Sequence, residues 1–199
     1  RKINVPRLSG GLARDWSFGW IPTLSRFGQN ISQGMSGGLN TVDTPNHEAA
    51  VTQLIQTLGD SGRSVTLVGE QGVGKSQIVQ TLADRLLDPM QQVPETLRFR
   101  QVFMLDASAI ITAAPGRGEV EELVSAILGE AYTAKNIIIF LDHAEMFFQD
   151  GIGSVDISSL LIPTLEAGRL PIILALDEQA YLKINKQNNK LANVASRIS

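Results

Sequence analysis

The run Gly69-Glu70-Gln71-Gly72-Val73-Gly74-Lys75-Ser76 fits the pattern GxxxxGK[ST]. It stands between an apolar β-branched stretch, Ser64 to Val68, and a segment of helical period, Gln77 to Leu87. Strand, glycine bend and helix in that order constrain the fold more than any other stretch, because they demand a buried strand whose end turns directly into a helix. Glycines permit positive φ and bring successive N–H groups up to phosphate oxygens, and the emerging helix adds the positive end of its dipole. Lys75 is then spaced to reach β- and γ-phosphates, and the Ser76 hydroxyl to hold Mg²⁺. Ile78, Val79, Leu82 and Leu86 give the helix its apolar face. A plain glycine turn between strand and helix would not call for Lys-Ser.

Three further apolar runs read as strands: Gln101 to Leu105, ending at Asp106; Asn136 to Leu141, ending at Asp142; and Leu170 to Leu176. Helical patterns lie between them. His47 to Leu58, after a possible N-cap at Asn46, puts Val51, Leu54, Ile55 and Leu58 on one face, with Gly59 and Gly62 marking its end. Glu119 to Tyr132 carries acidic residues in its first turn, where the dipole favours them. Val155 to Glu166 is amphipathic but contains Pro163, which predicts a kink or break, and Asp177 to Ser199 reads as a polar helical tail. Four buried strands separated by helices predict an α/β domain, a parallel sheet wrapped on both faces with its ligand at the strands' carboxyl ends.

Residues 1 to about 40 lack any sustained period and are rich in Gly, Ser and Arg, so they read as an extended arm, with residues 41–199 forming the domain. Trp16, Phe18 and Trp20 alternate beside Arg14. That pattern predicts a short strand docking on the domain, the alternative being contact of residues 14–20 with a membrane surface. The chain opens on Arg1 rather than Met, which reads as a piece of something larger.

Seventeen basic against twenty acidic side chains leave a net charge of −3, so no basic field points to nucleic acid. Cysteine is absent, which removes disulfides and thiolate metal sites. No apolar run approaches the roughly 20 residues of a membrane-spanning helix. A cytoplasmic setting is the expectation.

A phosphate loop needs an acidic partner for its metal. Asp142, at the tip of the most strand-like run in the chain, is the candidate, since a carboxylate there can accept hydrogen bonds from magnesium's waters. His143 follows it. An imidazole of ordinary pKa about 6.5 can accept a proton near neutrality but has a shorter reach than a glutamate. Glu145, one helical step further on, either points at the site or caps the helix.

These residues carry a resemblance. Pro22 to Ser32 (PTLSRFGQNIS), HEAAVTQLIQTL, LVGEQGVGKSQIVQTLADRL, FMLDASAI, GRGEVEELVSAIL and IIIFLDHAEMFF occur in the order seen in the first ATPase module of Clp-type AAA+ unfoldases. The similarity covers most of residues 21 to 199. It implies a P-loop NTPase three-layer sandwich with a five-stranded parallel sheet ordered 5-1-4-3-2, a helical lid after it, and a hexameric homo-oligomer with ATP or ADP and Mg²⁺ at subunit interfaces. Protein substrates and a peptidase partner are implied as well. On this resemblance Gln71, Gly72, Val73, Gly74, Lys75, Ser76, Gln77 and Asp142 contact nucleotide, Ser76 and Asp142 hold the metal, and Thr44-Pro45-Asn46 border the adenine. Arg197 falls where the family keeps an arginine that reaches a neighbour's site, and the chain is expected to stop before the last strand and the lid.

Several positions depart from the family pattern. His143 stands where a catalytic glutamate is usual, and Asn46 where a glycine is. Gly116, after Pro115, replaces the aromatic residue of the substrate-gripping loop, and Leu176-Asp177 occupies the place of a polar sensor. The expected function is an ATP-binding module that uses nucleotide for assembly or switching with weak hydrolysis. The alternatives are an active unfoldase with Glu145 or His143 as base, and a structural ring segment that binds no nucleotide.

Overall fold

The β-branched and apolar runs become the strands of one sheet, because each can be buried on both faces only if helices cover it above and below. In a computed structural model the described residues are 19–33, 45–60, 62–70, 74–114, 116–149, 155–187 and 189–199. The strands are β1 (Gly28–Asn30), β2 (Ser64–Val68), β3 (Gln101–Asp106), β4 (Ile137–Asp142), β5 (Ile172–Leu176) and β6 (Ala195–Ile198), in the spatial order β1-β3-β4-β5-β2-β6. All pairs are parallel except β1 with β3, which is antiparallel. The helices are α1 (Pro22–Phe27), α2 (Pro45–Asp60), α3 (Lys75–Leu87), α4 (Ala107–Ala113), α5 (Arg117–Ala134), α6 (Ser158–Ala167), α7 (Glu178–Gln187) and α8 (Lys190–Val194).

Alternation along β4 shows how the layers are filled. Ile137, Ile139 and Leu141 face a core shared with α5 and α6, while Ile138 and Phe140 face a second core shared with α2 and α3. The expected α/β architecture with a dominantly parallel sheet is therefore present. Central strands β2 and β5 are buried at every residue.

Several sequence expectations need correction. Residues 21–33 are not an arm: Pro22 starts a one-and-a-half-turn helix, Leu24 is fully buried, and β1 adds an edge strand to β3. Glu130 of α5 holds that segment, accepting the Thr23 N–H (3.0 Å) and the Leu24 N–H (2.7 Å), so one carboxylate caps a helix from more than a hundred residues away. Trp20 does not dock, being 85% exposed; Arg14, Trp16 and Phe18 lie outside the described residues.

The polar tail is not helical to its end. Ala195 to Ile198 pairs in parallel with β2 from Ser64 to Leu67 and supplies the last strand of the sheet, where the sequence reading expected the chain to stop short of it. Its four residues bury only Ala195 and Ile198, too little apolar content for a recognisable run. Finally, of the kink or break expected at Pro163 the break is absent: α6 continues through the proline, with Leu161 and Leu165 buried on either side of it. No helix among the described residues is long and apolar enough to cross a membrane.

Candidate nucleotide-binding site

Strands β2, β4 and β5 deliver their carboxyl ends to one edge of the sheet, and everything that matters chemically gathers there. The bend after β2 is tied to β5 by the Gly69 N–H donating to the Leu176 carbonyl (3.2 Å). Gly74 precedes α3 with φ +80°, a left-handed conformation that a side chain would strain, and its carbonyl accepts the Ile78 N–H (3.0 Å). Lys75 opens the helix. Its ammonium donates to the carbonyls of Gly69 (2.8 Å) and Glu70 (2.9 Å), which folds the cation back over the bend.

Two adjoining cavities share Gly74, Lys75 and Gln77. The larger, about 720 Å³, is walled by α2 (Asn46, His47, Ala50, Gln53), the end of β2 and Ser199. Pro45 starts α2 but Asn46, not Pro45, forms the wall; Thr44 lies outside the described residues, as do Gln71, Gly72 and Val73. The second cavity, about 420 Å³, collects Lys75, Ser76, Asp142, His143, Glu145, Ala175, Leu176 and Asp177. Lysine, serine hydroxyl and strand-end carboxylate thus converge, although they come from α3 and β4, separated by more than sixty residues.

His143 has φ +52°, a left-handed backbone that histidine adopts more readily than most residues, and it starts a short 3₁₀ turn, Ala144–Phe147. Asp142 stabilises this bend by accepting the His143 N–H (2.9 Å). The imidazole lies between two carboxylates, 3.9 Å from Asp142 and 3.7 Å from Glu145, and is about half exposed. Glu145 lines this cavity with a side chain only 20% exposed.

Asp106, beside Asp142 in register, is turned to another task. It caps α4, accepting the Ser108 N–H (3.0 Å) and hydroxyl (2.6 Å). Asp177 caps α7 through the Ala180 N–H (2.6 Å) and still borders the second cavity, at the place where the resemblance puts a polar sensor. His47 and Gln53, in the wall of the larger cavity, were missed. The signal was available, since 46, 50 and 53 recur at helical spacing on the element that must cover the glycine bend.

Behind the larger cavity Arg85 of α3 donates to both oxygens of Glu48 on α2. That hydrogen bond, with the guanidinium's charge, holds the Glu48 carboxyl below its ordinary pKa of 4.5 against the opposing effect of desolvation. Arg197, on β6, is engaged within its own chain by Glu178 and Tyr181. Gly116 stands in open space before α5, so no ring is presented at that position.

The donor set suits a hard divalent cation and a polyphosphate. Ser76 and Asp142 offer oxygen ligands, Lys75 offers the compensating cation, and the first turn of α3 offers backbone N–H groups at a helix start.

Residues 65–182 match the family described as ATPase family associated with various cellular activities (AAA). Over 167 residues the chain is 34% identical to the ATP-dependent Clp protease ATP-binding subunit ClpA homolog of Cyanidium caldarium, covering 82% of this chain and 19% of that protein. It is 31% identical over 164 residues to chaperone protein ClpB of Aquifex aeolicus, covering 80% of this chain and 16% of the relative. The fold superimposes on the Hsp104–ADP complex of S. cerevisiae with a TM-score of 0.74 and 28% identity, over 88% of this chain and 24% of that one. The chain belongs to the AAA family, as a Clp-type module. Membership of an ATPase family implies nucleotide binding. The module spans about a fifth of the length of the curated relatives it matches. Within the sheet, β6-β2-β5-β4-β3 gives the five-strand order that the resemblance implied, with β1 added at the far edge.

Proposed function

We propose that this AAA module binds ATP and ADP with Mg²⁺ and uses the nucleotide mainly for assembly or switching, hydrolysing it weakly. The observation that carries the reading is the second cavity, in which Lys75, Ser76 and Asp142 are gathered and the side chain following Asp142 is an imidazole instead of a carboxylate. Lys75 would exchange its two carbonyl partners for phosphate oxygens, Ser76 and Asp142 would hold the metal, and the stretch 71–77 would supply N–H donors. Mg²⁺, when bound, neutralises charge on the β- and γ-phosphates. The α2 wall from Asn46 to Gln53 would cover the base. Loss of a positioned base typically costs on the order of 10²–10⁴ in rate, so binding survives where turnover falls.

Assembly into a homo-oligomeric ring, a hexamer by analogy, fits a ligand that is held longer than it is consumed. Hsp104 has been solved with casein, which makes a polypeptide the partner class to test first. Gly116 argues against gripping by this module's own loop, because glycine offers no ring to wedge against a chain.

One observation favours a second reading, an active ATP-driven unfoldase: Glu145 borders the phosphate-end cavity and lies near His143. Thermal melting with and without Mg-ATP tests the first reading. Ligand at 100 times its dissociation constant adds about 2.7 kcal/mol, and no shift at millimolar Mg-ATP would leave a structural segment that binds no nucleotide. Phosphate release tests the second reading: turnover abolished by Glu145→Gln makes Glu145 the base, and equal slow turnover in both proteins removes it from the mechanism.

A further inference from the structure

Arg197 sits in β6 opposite Thr66 of β2, at the edge of the sheet next to the strand that feeds the phosphate loop. Its guanidinium makes contacts of three kinds. Nη2 donates to both carboxylate oxygens of Glu178, at 2.9 and 2.6 Å, Nε donates to the Ser199 hydroxyl at 2.8 Å, and the group lies over the ring of Tyr181, 4.9 Å from its centre. Reaching a carboxylate through Nη2 and a hydroxyl through Nε at once, while lying over an aromatic ring, takes two nitrogens on one planar group, which arginine has and lysine does not.

The partners lie toward opposite ends of the site. Ser199 is part of the wall of the larger, base-end cavity. Glu178 is the first residue of α7, directly after Asp177, which caps that helix and borders the phosphate-end cavity. One side chain therefore joins the two ends of the nucleotide site around the sheet edge. The ion pair is too exposed to matter much for stability, with side chains 36% and 43% accessible, and pairs of that kind contribute little to folding. What a multi-point contact of this sort does well is to fix positions.

We propose that Arg197 is a positioning residue of its own chain's nucleotide site, setting Ser199 at the base end and the first turn of α7, with Asp177, at the phosphate end. The proposal rests on the reading that this site takes nucleotide. It differs from the role in a neighbour's site that the family resemblance implies for this arginine, since here the guanidinium is already committed within the chain.

The test uses the full chain, diluted until sedimentation velocity shows single copies, and titrated with Mg-ATP, Mg-ADP and Mg-tripolyphosphate, the last lacking base and ribose. Arg197→Ala and Arg197→Lys are both expected to weaken Mg-ADP binding by roughly threefold to tenfold, the range of one lost positioning hydrogen bond, with the melting temperature of the nucleotide-free protein little changed. Ser199→Ala is expected to weaken Mg-ADP but not tripolyphosphate, and Glu178→Gln to weaken both. Unchanged affinity in single-copy Arg197→Ala, with losses only where chains associate, would give the arginine to a neighbour and overturn the proposal. Full rescue by lysine would overturn it too, because a bare charge would then suffice, and so would a lower melting temperature with unaltered affinity. If the wild-type chain binds neither nucleotide, the nucleotide reading itself falls; normal wild-type binding with Arg197→Ala unmoved removes this proposal alone.

Discussion

At the level of single residues, the informative position is His143. A left-handed backbone at φ +52° aims its imidazole between Asp142 and Glu145, neither within hydrogen-bonding distance of the ring. A glutamate placed there would bring a longer, acceptor-only side chain to the cavity that already holds Lys75 and Ser76. His143→Glu is therefore expected to raise ATP turnover by about 10² or more if a positioned base is all that is lacking. Phosphate release from the full chain measures it. An unchanged rate would point to Leu176-Asp177, which lines the same cavity at the place where the resemblance puts a polar sensor. Lysine and serine were legible in the sequence because one motif of fixed spacing holds both, and the aspartate because it ends the most strand-like run in the chain. That Glu145 lines this cavity was not, since helix capping and site lining call for the same residue at the same place.

Elements are joined by contacts whose sign the sequence conceals. Gly59, in the last turn of α2, would ordinarily gain up to about 1 kcal/mol on replacement by alanine through helix propensity. Here a Cβ would run into Pro94 Cγ and lie 2.7 Å from its Cβ, and a proline ring cannot swing aside. Gly59→Ala should instead destabilise by about 1–3 kcal/mol, as overpacking does, and urea denaturation decides the sign. The pair Glu48–Arg85 ties the same helix to α3, and its carboxyl pKa is depressed mainly by the hydrogen bond from Arg85. A carboxylate with a lowered folded-state pKa contributes stability that is present above its unfolded value, 4.5, and is lost as pH falls through the folded one. Glu48→Gln should thus melt slightly below wild type near neutrality and converge with it only as the pH falls through the lowered folded-state pKa, beneath 4.5. A gap that persists at acid pH would assign the loss to packing. The pairing was invisible beforehand because the partners are 37 positions apart.

For the molecule as a whole, the sheet's interior was legible and its margins were not. Buried strands announce themselves by continuous β-branched and aliphatic runs, as Ile137 to Leu141 does. The edge strands β1 and β6 are three and four residues long and are held by backbone pairing to a neighbour, so Gly-Gln-Asn and Ala-Ser-Arg-Ile carry no such signal. The margin at β1 depends on one side chain. Glu130 accepts both N–H groups at the start of α1, and behind them Leu24 is fully buried against the core shared with α5. Glu130→Ala leaves two helix-end donors without their acceptor, a cost of about 1–3 kcal/mol, while Glu130→Gln keeps one carbonyl oxygen and should lose less. Because 21–33 reaches the sheet only at its edge, the loss should appear as local opening ahead of global unfolding. Hydrogen exchange read by peptide is expected to accelerate across Ile21 to Gln33 in the alanine variant, with β2, β4 and β5 keeping wild-type protection. Acceleration spread evenly over all strands would mean that the segment is integral to the core, and that no boundary separates it from the nucleotide-binding sheet.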